Sequence, residues 1–118
     1  MNTMKNKVQL IGNLGKDPEI REVGRNNQAM ARLSLATSER YKTATGEWKE
    51  EVNWHAVVAW GPKAELVGQL MRKGSRVLVE GRLVQRNYEK DGEKRYVTEV
   101  VLNDFQLMGA KPVENEQA

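Results

Sequence analysis

Hydrophobic and polar residues alternate along most of this chain, which is the period-two pattern typical of strands. A run of this kind at the start is interrupted by Gly12, Gly15 and Pro18, as expected where a strand bends in a curved sheet. The pattern predicts strands at residues 5–14 with a short continuation at 19–23, and at 29–38, 48–60, 75–88 and 96–102, the last extended by Phe105, Leu107 and Met108. Taking the first two pieces as one interrupted strand, the chain has five strands.

One segment departs from this alternation and has helical spacing. Pro62 suits the first position of a helix, where its missing N–H costs nothing, and Gly74 suits a position just after the end. Between them the residues that recur on one side are Ala64, Val67, Leu70 and Met71, with Arg72 and Lys73 expected in the last turn. The sequence predicts a single short helix.

Turn signals connect these elements. Asp91-Gly92, within a charged loop at 89–94, indicates a hairpin, and 43–46 is expected to close another; 24–28 is predicted as a turn. Five strands with a helix between the third and the fourth are typical of the OB-fold, a five-stranded Greek-key barrel of the all-β class. We expect one domain over residues 1–109 and a short flexible tail over 110–118.

Composition excludes several classes of protein. The 118 residues include no cysteine, which excludes disulfides and thiolate metal sites. No apolar run approaches the roughly 20 residues of a membrane helix, and the polar N-terminus lacks a secretory signal. We therefore expect a cytoplasmic protein without a membrane partner. The net charge of +3 is only a weak indication of an acidic partner.

Aromatic and basic residues are interleaved in the middle of the chain. Six of the seven aromatic residues lie between Tyr41 and Tyr96. Aromatic rings stack on unpaired bases, and Lys and Arg contact phosphates, so this region is a candidate surface for single-stranded nucleic acid. The interleaved basic residues are Arg40, Lys42, Lys49, Lys63, Arg72, Lys73, Arg76, Arg82 and Arg86.

Alternation assigns faces to two of these strands. In the strand at 75–88 it places Arg76, Arg82, Arg86 and Tyr88 on one face, with Glu80 among them, and Val77, Val79 and Leu83 on a core face. In the strand at 48–60, Trp54, Ala56, Val58 and Trp60 share one face. Periodicity alone would make this tryptophan face the core, so burial and base stacking stay open for Trp54 and Trp60. Trp48 and Tyr96 are expected to be structural.

No motif for catalysis or metal binding is present. His55 is the only histidine, so it lacks the partners that a metal site needs. The glycines form no phosphate-binding loop, and no nucleophile-elbow motif occurs. We expect no enzymatic activity, no metal and no cofactor, and a packing or interface role for His55.

Several runs together resemble the bacterial single-stranded-DNA-binding protein family over about residues 5 to 109. A Gly-Asn-Leu-Gly-x-Asp-Pro-Glu run followed by Trp-His and Arg-Lys-Gly-Ser is very specific. The runs are Asn6-Lys7-Val8, residues 11–19 (IGNLGKDPE), residues 35–39 (LATSE), Thr45-Gly46-Glu47, Trp54-His55, residues 70–75 (LMRKGS), Val79-Glu80-Gly81, and Arg95-Tyr96 through to Val100.

The resemblance implies a homotetramer of OB-folds that binds and protects single-stranded DNA during replication, recombination and repair, in the cytoplasm with the nucleoid. It places base stacking on Tyr41, Trp54, Trp60 and Tyr88, and a subunit interface at His55. It places phosphate contacts on Lys7, Arg21, Lys42, Lys49, Lys63, Arg72, Lys73 and Arg86.

The sequence also departs from the family pattern. Ala56 stands where family members often have a basic residue, which removes one expected phosphate contact. The family's long tail with an acidic tip is absent, since the sequence ends at Glu114-Asn115-Glu116-Gln117-Ala118. Recruitment of replication and repair proteins is therefore not expected to use such a tip. Two other hypotheses stay open, a protein-interaction OB module and, more distantly, a metal-dependent nuclease.

Overall fold

The computed structural model describes residues 5–109, and the expected tail at 110–118 lies outside the described residues. The strands are β1 (Val8–Leu14), β2 (Glu19–Val23), β3 (Gln28–Lys42), β4 (Trp48–Trp60), β5 (Arg76–Lys90) and β6 (Glu93–Leu107). One helix, α1 (Pro62–Leu70), lies between β4 and β5. Of the strand predictions, the one at 48–60 coincides with its observed strand, and the others differ at their ends.

Five of the strands close into a barrel. β1 pairs with β5, β5 with β6, and β4 with β3, all antiparallel, while a parallel contact of β4 with β6 and a short pairing of β1 with β3 complete the circle. β2 lies outside this closure and pairs only with the start of β3. The predicted five-stranded OB-fold barrel is therefore confirmed, with the short segment after Pro18 as an additional strand.

The core fills the barrel and continues beneath the helix. Alternate residues of β3 and β5 point inward, because side chains of a strand project to opposite faces in turn. Apolar side chains that are almost completely buried form one cluster: Leu14, Ala31, Leu33, Leu35, Val57, Ala59, Ala64, Val67, Met71, Val77, Val79, Val100 and Leu102. The core face predicted for the strand at 29–38 is confirmed.

Helix α1 is shorter than its sequence pattern suggests. It ends at Leu70, and Met71 is extended, so the prediction that Arg72 and Lys73 occupy the last turn is wrong. The backbone N–H of Arg72 donates to Ser75 Oγ at 2.9 Å, and that of Lys73 donates to Asp17 Oδ1 at 2.8 Å. These acceptors replace the helix carbonyls, which ends the helix. Leu70 is exposed, while Met71 is buried.

Two pairs of strands extend beyond the barrel as hairpin arms. The β3–β4 arm comprises residues 37–53, and the β5–β6 arm comprises residues 82–100; outside the barrel the strands of each arm pair mainly with each other. The β5–β6 arm turns at Asp91 and Gly92, whose φ angles of 53° and 77° fit the tight hairpin predicted there. The strands run up to this turn, so the wider loop predicted at 89–94 is not present.

Candidate nucleic-acid interface

Strand register defines an outer face of the barrel. In the β3–β4 pairing, Leu33 lies opposite Val57, and both side chains are buried in the core. The residues one step away, such as Arg32 opposite Val58, therefore project outward. The same side continues onto β6 and β5, where Val58 pairs with Val101 and Val101 with Arg82. We call this surface the outer face.

Trp54 and Trp60 both lie on the outer face and are exposed, by 60% and 41%. The alternative in which the tryptophan face of β4 forms the core is wrong at these two positions. The buried side chains Val57 and Ala59 belong to the opposite face. Both faces of this strand carry apolar residues, so its own alternation could not distinguish them.

A shallow cleft lies beside Trp54. Its volume is about 280 Å³, and its lining includes Lys16, Arg32 and Ala56 besides the tryptophan. Behind the ring, Gly15 has no side chain, and a Cβ atom there would lie 2.5 Å from Trp54 Cζ3. The backbone after β1 thus forms a surface on which the indole rests. The cleft brings together an aromatic ring and two cationic side chains.

Glu99 holds two arginines on the outer face. The Arg86 guanidinium donates to both carboxylate oxygens, at 3.0 Å and 2.9 Å, and Arg32 Nη1 lies 3.4 Å from Oε2. Glu99 is only 4% exposed and is the buried charged residue of the described chain. The hydrogen bond from Arg86 holds the pKa of the Glu99 carboxyl below its usual range, against the effect of burial, and Arg32 adds to the lowering. The carboxylate fixes where two positive charges lie.

The β5–β6 arm continues the outer face. Arg82, Arg86 and Tyr88 project to the same side, as the alternation predicted, and all three are exposed. Leu83 was expected in the core but is exposed, because it lies beyond Gly81, the last residue of β5 that pairs with β1. Tyr96, expected to be structural, is 67% exposed and projects to the other side of this arm.

The β3–β4 arm separates two aromatic residues. Trp48 pairs with Lys42 on the side of the outer face, whereas Tyr41 pairs with Lys49 on the opposite side. Trp48 was expected to be structural, but it is 61% exposed and the guanidinium of Arg40 lies 5.4 Å from its ring centroid. Tyr41 therefore does not share a face with the other three residues predicted to stack on bases.

The predicted phosphate-binding residues fall into two groups. Arg21, Lys42 and Arg86 lie on the outer face; Arg21 pairs with Met30, which pairs in turn with Trp60. The remaining five lie elsewhere. Lys49 is on the other side of its arm, Lys63 begins the helix, Lys7 is ion-paired with Glu80 at 3.2 Å, and Arg72 and Lys73 lie in the loop after the helix.

Residues of the specific sequence runs hold the barrel together at its ends. The side-chain amide of Asn6 bonds both the N–H and the carbonyl of Leu83, at 2.8 Å and 3.0 Å. Asn13 Nδ2 donates to the Gly74 carbonyl at 3.2 Å, and Asp17 accepts from Lys73 as described above. These polar side chains act on the backbone, so the runs record a fold as well as a binding surface.

His55 lies half-buried where the β3–β4 arm leaves the barrel. Its Nε2 is 2.9 Å from Thr37 Oγ1, and the ring lines the cleft beside Trp54. Among residues 5–109, no three His, Cys, Asp or Glu side chains are grouped in a way that could hold a metal ion. In the same part of the chain, no helix has the length and apolar character needed to cross a membrane.

Sequence reasoning missed Lys16 and Arg32 as site residues. Arg32 projects from β3 opposite the apolar positions Ala31 and Leu33, so alternation within that strand marked it as outward-facing. Lys16 follows a glycine in a loop, and no local pattern indicates that this loop lies beside Trp54. Only the pairing of distant strands brings these two cations to the aromatic ring.

Comparison with known proteins gives a consistent result. The sequence model of the Single-strand binding protein family matches residues 5–108. Single-stranded DNA-binding protein 1 of Chlorobaculum tepidum is 46% identical over 108 residues, covering 90% of this chain and 66% of that protein. Single-stranded DNA-binding protein 1 of Xylella fastidiosa is 43% identical over 113 residues, covering 94% and 82%. The chain thus spans just under two thirds of the length of the Chlorobaculum relative.

Solved structures resemble the barrel equally well. A Plasmodium falciparum SSB in complex with ssDNA has a TM-score of 0.80 at 31% identity, over 88% of this chain and 95% of that one. A deletion mutant of the single-stranded DNA binding protein from Thermus aquaticus has a TM-score of 0.79 at 34% identity, over 90% and 51%.

Proposed function

The chain belongs to the Single-strand binding protein family, and from that premise we propose that it binds and protects single-stranded DNA without sequence preference. The role would serve replication, recombination and repair, where strands are transiently unpaired. One observation carries the proposal: exposed indole rings and guanidinium groups lie together on the outer face. This combination suits a strand whose bases are open to stacking and whose phosphates are charged.

Base stacking is proposed for Trp54 and Trp60 on β4, with Tyr88 and Tyr41 on the two arms. A stacked base contributes about 1–3 kcal/mol, and every base has a flat face, so sequence matters little. The exposure of all four rings supports this role, since a ring buried in the core could not receive a base. Trp54 is the best supported, because Lys16 and Arg32 lie in the same cleft.

Phosphate contacts are proposed for the eight basic residues of the family pattern. Arg21, Lys42 and Arg86 are supported by their place on the outer face. Lys7, Lys49, Lys63, Arg72 and Lys73 lie off this face and would meet a strand that continues around the barrel. Arg32 and Lys16 join the set, and Arg32 supplies positive charge beside Ala56, where the family is often basic.

The proposed activity is binding without catalysis, as in other members of this family. The further proposal is a homotetramer with His55 at a subunit interface, in the cytoplasm with the nucleoid. The half-buried position of His55 beside Thr37 is compatible with packing against a second subunit. Light scattering of the purified protein would report the mass of the assembly, and a monomer would contradict this part.

The proposed function is tested by titrating the protein with oligo-thymidine at low salt. Anisotropy of a labelled oligonucleotide should rise on binding, and tryptophan emission should fall as bases stack on the rings. The logarithm of affinity should decrease with the logarithm of salt concentration by about 0.7 per phosphate neutralised. Affinity no better than that of a generic basic protein would contradict the proposal and favour a protein-interaction OB module.

A further inference from the structure

The β3–β4 arm is an ordered extension of the barrel. Its strands pair without interruption out to Lys42 and Trp48. Its loop is closed by hydrogen bonds from the Thr43 N–H to the Glu47 carbonyl at 2.8 Å and from the Gly46 N–H to the Thr43 carbonyl at 3.0 Å. Thr43 Oγ1 also accepts from the Glu47 N–H at 3.1 Å. Side chains at the tip of this arm are therefore held in defined positions.

The two sides of the arm differ in charge. On one side Glu39 lies directly opposite Glu51, next to Tyr41. On the other side Arg40 and Lys42 flank Trp48, and the carboxylate of Glu50, opposite Arg40, accepts a hydrogen bond from Ser38. A phosphate chain is repelled by paired carboxylates and attracted by cations. The Trp48 side is the one that favours DNA.

Trp48 itself has the properties of a stacking surface. Its ring is 61% exposed, and the Arg40 guanidinium lies over it at 5.4 Å from the centroid. A cation above one face of an indole restrains the ring and leaves the other face for a base. The same guanidinium carries the charge that a neighbouring phosphate would need.

Trp48 also continues a regular series along one strand. Trp48, Trp54 and Trp60 are six residues apart on β4, so alternation places all three on the same side. At about 3.3 Å per residue, successive rings are separated by roughly 20 Å along the strand. A single DNA strand that follows β4 would meet the three indoles in turn.

We propose that Trp48, restrained by Arg40, is a further base-stacking platform that extends the track of Trp54 and Trp60 to the tip of the β3–β4 arm. The proposal rests on the proposed function, since it names an additional contact of the same site. It assigns a binding role to a residue that neither the strand pattern nor the family runs singled out.

The first test uses a variant in which Trp54→Phe and Trp60→Phe leave Trp48 as the only tryptophan. Oligo-thymidine binding is followed by anisotropy of a labelled strand and by tryptophan emission in the same titration. The expected result is quenching of Trp48 emission that saturates together with the anisotropy. Binding without any change in Trp48 emission would overturn the proposal, whereas no binding by the unmodified protein would overturn the proposed function instead.

The second test keeps Trp54 and Trp60 intact and does not depend on the double variant. Trp48→Ala should weaken binding of oligo-thymidine by about 5- to 150-fold, the loss of one stacked base, and Trp48→Phe should recover most of it. Tyr96→Ala is the matched control, because it removes an equally exposed ring from the side of the other arm that faces away from Arg86 and Tyr88. An unchanged affinity in Trp48→Ala, or an equal loss in Tyr96→Ala, would overturn the proposal.

Discussion

Trp54 lies against Gly15 so closely that no side chain fits between them. A Cβ atom on Gly15 would lie 2.5 Å from Cζ3 and 2.6 Å from Cη2 of the indole. The two residues are 39 positions apart and meet because β1 pairs with β3, and β3 with β4. The glycine of the loop after β1 thus sets the position of a ring proposed to stack on DNA.

Gly15→Ala should impair binding more than folding. The added methyl group must displace the Trp54 ring, which is largely exposed and can move outward. We expect affinity for oligo-thymidine to fall by up to one stacked base, about 1–3 kcal/mol, with little change in the melting temperature. A fluorescence titration together with a thermal melt measures both. An unchanged affinity would show that the ring position set by Gly15 does not matter for binding.

Gly12→Ala should have the opposite effect and mainly destabilise the barrel. A Cβ atom on Gly12 would collide with the backbone carbonyl of Ala36 on β3, which cannot move as a side chain can. Overpacking of this kind costs about 1–3 kcal/mol. Urea denaturation of Gly12→Ala and Gly15→Ala, side by side, should show the larger loss of unfolding free energy in Gly12→Ala. Equal losses would contradict this interpretation of the β1–β3 contact.

Trp54→Ala should weaken binding without unfolding the protein. The side chain is 60% exposed, so its removal leaves no core cavity, and the expected loss of affinity is about 1–3 kcal/mol. Oligo-thymidine binding by anisotropy and far-ultraviolet circular dichroism measure the two properties separately. A variant that unfolds, with normal affinity in its folded fraction, would restore the core interpretation of this residue.

The Glu99 carboxylate should make the stability of the barrel depend on acid pH. The hydrogen bond from Arg86 lowers the pKa of Glu99 in the folded state, so its contribution is complete above the unfolded pKa of about 4.3. That contribution is lost as the pH falls through the lower, folded pKa. Glu99→Gln should lower the unfolding free energy at neutral pH by about 1–3 kcal/mol, the cost of disrupting a buried charged hydrogen bond.

Denaturation of both proteins between neutral and strongly acidic pH measures this contribution. The difference in stability between the unmodified protein and Glu99→Gln should shrink below about pH 4, because both then carry a neutral group at this position. Glu93→Gln is a suitable control, since Glu93 pairs with Arg95 on the exposed tip of the β5–β6 arm. A difference that stays constant with pH would contradict the assignment to the Glu99 carboxylate.

Local patterns determined most of the elements of this protein. Alternation placed the strands because each has one apolar face, Asp91-Gly92 specified a tight turn through its positive φ angles, and Pro62 marked the start of the helix. The family runs added the expected DNA-binding surface. Where a pattern was one-sided, as in β3 with Leu33 and Leu35 inward, the sequence also predicted the core correctly.

Tertiary structure decided what local patterns left ambiguous. Both faces of β4 are apolar, so only its pairing with β3 and β6 determines that Val57 is buried and Trp54 exposed. The burial of Glu99 depends on Arg86 and Arg32, which reach it from two other strands. A residue's own neighbours in the chain cannot encode contacts of this kind, because the environment of a side chain on a sheet comes from adjacent strands, and these are joined only when the barrel closes.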